Sequence, residues 1–121
     1  MIDKATRMAN LYDLYGKLLT PRQQQVIELT YFDDWSLAEI AEHLHVSRQA
    51  VHDNLHRAEE QLEYYEAMVG FDGWLQDMKV RIAEAVSVGQ TVYPFLPKAA
   101  KDRLQVALVE LQQALTRAST D

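Results

Sequence analysis

Three features of the 121 residues predict an all-α chain of six helices. Apolar side chains recur every three or four positions along most of its length, the repeat of a single helix face. No stretch alternates apolar and polar residues as a half-buried strand would. Helix-start signals also recur: Thr20-Pro21, Ser36 and Ser47 each stand just before an apolar-periodic run, where a side-chain oxygen can take up an amide left without a partner.

The first helix is expected over about Asp3 to Leu19, with Ala5, Met8, Tyr12 and Tyr15 on one stripe and Leu11, Leu14 and Leu18 widening it. Thr20-Pro21 ends it and starts the second, since Thr caps, Pro suits the first helical position and Gln23 completes a capping box. That second helix carries Val26, Ile27, Leu29 and Tyr31 and stops at Asp33-Asp34, a carboxylate pair read as a turn and not as catalytic. Ser36 with Glu39 forms another capping box and opens a third helix, whose Leu37, Ile40, Ala41 and Leu44 share a face. Small Ala41 suits the close crossing of two short helices. A turn at residues 44–47 follows. His45 there holds a position that often needs positive φ and is commonly glycine; histidine visits that region more readily than most side chains.

Ser47 caps the fourth helix. Val51, Leu55, Ala58, Leu62, Tyr65 and Val69 alternate steps of four and three, so this helix should run to Val69 and stop at Gly70. Gly70 and Gly73 bracket the fifth start, with Asp72 as its cap and Trp74, Leu75, Met78, Ile82 and Val86 as its apolar face. Ser87 to Pro97, eleven residues with Gly89, Pro94 and Pro97, reads as an irregular connection. A sixth helix, about Pro97 to Arg117, bears Leu104, Leu108, Leu111 and Leu115. The expected organisation is one helical domain over 1–121: a helix-turn-helix unit at 1–69, and a helical pair at 70–121.

Composition narrows the class. A content of 48% hydrophobic and 25% charged residues suits a folded protein with its own core. Cysteine is absent, which removes disulfides and thiolate zinc sites and fits a reducing compartment. Charges at Asp3, Lys4, Arg7, Asp13 and Lys17 interrupt the first residues too often for a signal-peptide core, and no run approaches membrane-spanning length, so a cytoplasmic location is expected. The net charge of −6 weighs against tight, autonomous nucleic-acid binding. From Thr20 to Arg57 three cations (Arg22, Arg48, Arg57) meet six anions (Glu28, Asp33, Asp34, Glu39, Glu42, Asp53). Glu59, Glu60, Glu63 and Glu66 follow with no cation among them and read as a face that repels phosphate.

The outward residues at the start of the fourth helix are the candidate site. Arg48, Gln49, His52, Asp53 and His56, with Ser47 and Arg57 at the ends of the segment, are the nucleic-acid-binding set, because such positions reach base edges when a helix enters a major groove. Arg and Gln carry paired groups matched to guanine and adenine. A solvated helix face is the competing reading, and Asp53, which phosphate would repel, favours it. His52 and His56, one turn apart, could ligate a metal with His43 or His45, but neither a cysteine nor a patterned carboxylate accompanies them, so no metal and no cofactor are expected. No phosphate-cradling glycine loop or nucleophile-and-base set is present, so no enzyme activity is expected.

M-A-N-L-Y-D-L-Y, L-T-P-R-Q-Q, Y-F-D-D-W-S-L-A-E-I-A and V-S-R-Q-A-V-H-D-N-L-H-R-A-E, in this order and spacing, resemble the YlxM family of small bacterial proteins. The resemblance covers about Lys4 to Tyr65 well and the rest loosely. It implies a helix-turn-helix like region 4 of sigma factors, with a long recognition helix and two further C-terminal helices. It also implies a non-enzymatic role in the signal recognition particle pathway, and Ser47, Arg48, Gln49, Ala50, Val51, Asp53 and Asn54 as the recognition-helix signature, Ala50 and Val51 packing inward. The leading expectation is an accessory or regulatory protein contacting DNA, signal recognition particle RNA or a ribonucleoprotein, with that particle's proteins as further partners. A dimeric DNA-binding transcriptional regulator is the first alternative. An adaptor whose acidic face, Glu59 to Glu66, meets a basic protein is the second. The leucine stripe of the last helix either packs within its own domain or forms a homodimer seam; a homodimer built on the last two helices, with or without the long fourth, is expected, with Phe71 and Trp74 buried in it.

Overall fold

The structure is a computed structural model that describes residues 2–120. Six α-helices and no strand occur among those residues: α1 (Lys4–Tyr15), α2 (Pro21–Ile27), α3 (Leu37–Leu44), α4 (Arg48–Val69), α5 (Phe71–Val92) and α6 (Lys98–Thr120). They fall into two compact units divided between Asp72 and Gly73.

In the first unit each helix start is held as its sequence requires. Asp3 accepts the Thr6 amide, Thr20 and Gln23 close one capping box, Ser36 and Glu39 close another, and Ser47 accepts the Ala50 amide. Two apolar clusters then share α2 and α4. Met8, Leu11 and Tyr15 of α1 meet Leu19, Ile27, Ala58 and Leu62 in the first. Val26, Ile40, Ala41 and Val51 make the second, with Leu29, Trp35, Leu37 and Leu44 around it. Adjacent Val26 and Ile27, about 100° apart around α2, therefore serve the two clusters, and Leu55 of α4 touches both. Complete burial of Leu11, Ile27, Ile40 and Leu62 is worth about 1.5–3 kcal/mol for each side chain.

Local chemistry explains where the elements depart from expectation. α1 stops at Tyr15 and tightens into a 3₁₀ turn at Gly16–Leu18. Three residues per turn in place of 3.6 rotates the register. Leu19 is consequently buried, while Leu18, expected on the apolar face, is 62% exposed. α2 runs on as a wide π turn at Glu28–Phe32, which sends Leu29 to the second cluster and Tyr31 to the first. Val69, the last member of the α4 stripe, is exposed.

α5 begins at Phe71, so Asp72 is not its cap and Gly73 lies inside the helix. No local cap is needed, because the first amides find partners elsewhere: Phe71 N donates to Tyr15 Oη at 3.2 Å and Asp72 N to Glu66 Oε1 at 3.1 Å. Gly70 makes the elbow at φ 69°. Phe71 and Trp74, expected to be buried, are 43% and 57% exposed in the single chain.

In the second unit the stretch expected to be irregular is largely helical. α5 continues through Ser87 and Gly89 to Val92, and only Tyr93–Phe95 tightens into a 3₁₀ turn. Packing against α6 overrides the weak local preference: a Cβ on Gly89 would stand 2.8 Å from Leu108 Cδ2, so its absence lets the two helices approach. Leu108 and Val86 are the buried apolar residues of this unit, and Lys101 lies over the Tyr93 ring at 5.6 Å.

The turn of the helix-turn-helix carries measurable strain. His45 ends α3 at φ 57°, ψ 44°, in the left-handed region, with Val46 N donating to Ala41 O at 3.1 Å. A side chain there costs roughly 1–2 kcal/mol that glycine avoids. His45→Gly is expected to raise the unfolding free energy by ~1 kcal/mol, and β-branched His45→Val to lower it, both read from urea midpoints. A loss of stability in His45→Gly would refute the strain.

Candidate nucleic-acid interface

The front of α4 is held out by what lies behind it. Val51 is buried against Ile40, Ala41 and Val26, and Ala50 is half-buried, so the residues between them in the helical repeat must face away. Ser47, Arg48, Gln49, His52, Asp53, His56 and Arg57 are all exposed, and the structure places the whole set on one presented surface over the first three turns. Asn54 of the signature turns back instead, its Nδ2 donating to Ala50 O at 3.0 Å.

Within this surface most polar groups have neighbours on the same helix. Gln49 Nε2 donates to Asp53 Oδ1 at 2.9 Å, and His52 Nδ1 lies 3.5 Å from the same oxygen. The His52 and His56 rings stack at 6.3 Å and 7°, and His56 Nε2 sits 2.8 Å from Glu60 Oε1. His43 instead meets the edge of Trp35 at 5.2 Å, and His45 forms the turn. Among the described residues no three histidine or carboxylate side chains gather as a metal site. Arg57 borders an open groove with Gln23, Glu60, Gln61 and Tyr64.

The acidic series further along α4 is not the free face its spacing suggests. Glu59 is buried, takes a short hydrogen bond from Tyr31 Oη and lies 3.2 Å from Lys4 Nζ. Glu63 accepts two parallel bonds from Arg7, at 2.6 and 2.7 Å. Glu66 accepts from Tyr15 Oη at 2.7 Å and from Asp72 N. Only Glu60 of the four stands wholly at the surface, beside His56. Glu59, withdrawn from water, requires such donors, and α1 with the π turn supplies them, while Glu63 and Glu66 bind theirs half-exposed. The one signal in the chain was the presence of donors on α1, Lys4, Arg7 and Tyr15, which meet Glu59, Glu63 and Glu66 once the helices pack.

A model of the UPF0122 family, helix-turn-helix proteins of YlxM / p13 like type, matches residues 2–92. The chain belongs to this family. A UPF0122 protein of Anoxybacillus flavithermus is 58% identical over 66 residues, which are 54% of this chain and 60% of that one. One from Geobacillus kaustophilus is 54% identical over 70 residues, 58% of this chain and 64% of that one. Against both, the match spans less than two thirds of the relative's length. A UPF0122 protein of Listeria innocua is 40% identical over 105 residues, covering 87% of this chain and 94% of its own. Family membership agrees with the all-α fold and its helix-turn-helix, and no helix among the described residues is long and apolar enough to cross a membrane.

The contacts among α1, the π turn and α4, which include Tyr12 Oη donating to Glu28 Oε1 at 2.7 Å, make stability depend on pH at both ends. Arg7 holds the Glu63 carboxyl below its ordinary 4.5, so its contribution is complete above that value and lost as pH falls below it. Burial, then hydrogen bonds to carboxylates, push Tyr12, Tyr15 and Tyr31 above 10.0, so their contribution is complete below that pH and lost above it. Glu63→Gln should flatten the fall in urea midpoint between about pH 5 and 3, while Tyr31→Phe should cost about 1–3 kcal/mol at neutral pH and reduce the fall above pH 10. Unchanged midpoints would show these contacts to be unformed in solution.

Proposed function

We propose that this is a non-enzymatic helix-turn-helix protein of accessory or regulatory role that places the front of α4 in the major groove of duplex DNA. The observation carrying this is the exposed surface from Ser47 to Arg57 on a helix whose opposite face is buried against α3. Arg48 and Gln49 stand at its first turn, where the helix dipole also favours phosphate. The engagement of Glu59, Glu63 and Glu66 by Lys4, Arg7 and Tyr15 supports the reading, because Glu59 is buried and the cations beside Glu59 and Glu63 offset part of the negative field a phosphate backbone would meet.

Contact is expected to be modest and salt-sensitive given the net charge of −6. A role in the signal recognition particle pathway, with that particle's RNA or proteins as partners, rests on the resemblance alone, and a cytoplasmic setting on the charged first residues and the absence of cysteine. Pairing of two copies through the C-terminal helices accords with the exposed Val88, Val92, Phe95, Val106 and Val109 of the second unit and would present two α4 helices to paired half-sites.

Selection from random duplexes at low salt should enrich a defined sequence. Arg48→Ala should weaken it and reduce the slope of log K against log salt by about one if Arg48 meets phosphate. Failure to enrich any duplex, with a structured RNA recovered from cells instead, would replace DNA by the ribonucleoprotein partner.

A further inference from the structure

Asp53 is an acid on the one surface where phosphate would repel it, and the structure gives it a partner that accounts for its presence. The Gln49 amide donates through Nε2 to Asp53 Oδ1 at 2.9 Å, one helical turn away, and both side chains stand in the open. A glutamine amide is nearly symmetric in shape, so half a turn about its last bond exchanges acceptor for donor at almost no cost. An ionised carboxylate only accepts. It can bind the NH₂ end and not the carbonyl end, and so decides which way the amide faces.

We propose that Asp53 is a positioning residue that orients Gln49 to read adenine in the major groove of B-form DNA. Held in this way, Gln49 keeps one N–H and both lone pairs of Oε1 for a partner, the donor-acceptor pair that adenine N7 and N6 require. Guanine presents two acceptors at that edge, N7 and O6, and a carbonyl fixed opposite O6 is refused. His52, with Nδ1 3.5 Å from the same Asp53 oxygen, borders the pair without displacing it. The deep, narrow major groove of A-form RNA does not admit this contact, so the duplex it suits is B-form DNA. The proposal rests on α4 being the recognition helix, and it accepts a loss of general phosphate affinity in exchange for base discrimination.

The experiment uses the full chain, the duplex enriched by selection, and the same duplex with each A·T pair changed in turn to G·C. The wild type should prefer adenine over guanine at one position by at least about fivefold. Gln49→Ala and Asp53→Ala should each erase that preference at the same base pair, with no further loss when combined. Asp53→Ala should bind random duplex as well as the wild type or better, while Asp53→Asn, whose amide can donate as well as accept, should lose the preference and Asp53→Glu, which only accepts, should retain most of it. Circular dichroism checks that each variant is folded. Should Asp53→Ala keep the adenine preference, or lose affinity for every duplex alike, Asp53 does not position Gln49. Absence of any enriched duplex for the wild type would instead bring down the reading of α4 itself, and this proposal with it.

Discussion

α4 must satisfy two sets of neighbours with one unbroken rod of 22 residues, and the first unit is organised around that constraint. Its front half gives Val51 to the cluster with α3, and its rear half gives Ala58 and Leu62 to the cluster with α1. A rigid helix transmits the position of one end to the other. The packing of α1 against the rear of α4 therefore fixes where Arg48 and Gln49 stand, although neither touches α1.

The rear half also carries its acids on the side that meets α1. Glu59 among apolar neighbours would cost several kcal/mol alone, and Lys4 with Tyr31 offsets that cost. Arg7 and Tyr15 do the same for Glu63 and Glu66. This alignment of α1 on α4 brings each of these donors to an acceptor. The pairs also change the electrostatic reading of the chain: a count of charges sees four free acids on α4, whereas Glu59 is buried, Glu63 and Glu66 are half-buried against their donors, and Glu60 is fully at the surface.

At the other end of this arrangement, Tyr15 and Glu66 take up the first amides of α5 across the Gly70 elbow. A helix start is thus capped by side chains from two other helices. This explains how α5 begins at Phe71 directly after the elbow and without a cap of its own, where the positions of Asp72 and Gly73 had suggested a later start.

The class of fold, the caps at Thr20, Ser36 and Ser47, the extent of α4 and the outward face from Ser47 to Arg57 were legible in the residues, because each depends on interactions within a turn or two of chain. His45 belongs with them, since its backbone demand follows from its place in the turn. Tertiary structure alone decided that Leu19 and not Leu18 enters the core, that Gly89 lies in a helix against Leu108, and that Glu59, Glu63 and Glu66 are bound rather than free. The physical reason is one of range: propensity and capping act between residues a few positions apart, whereas Arg7 and Glu63, 56 residues apart, acquire an interaction only when folding has removed the water between them.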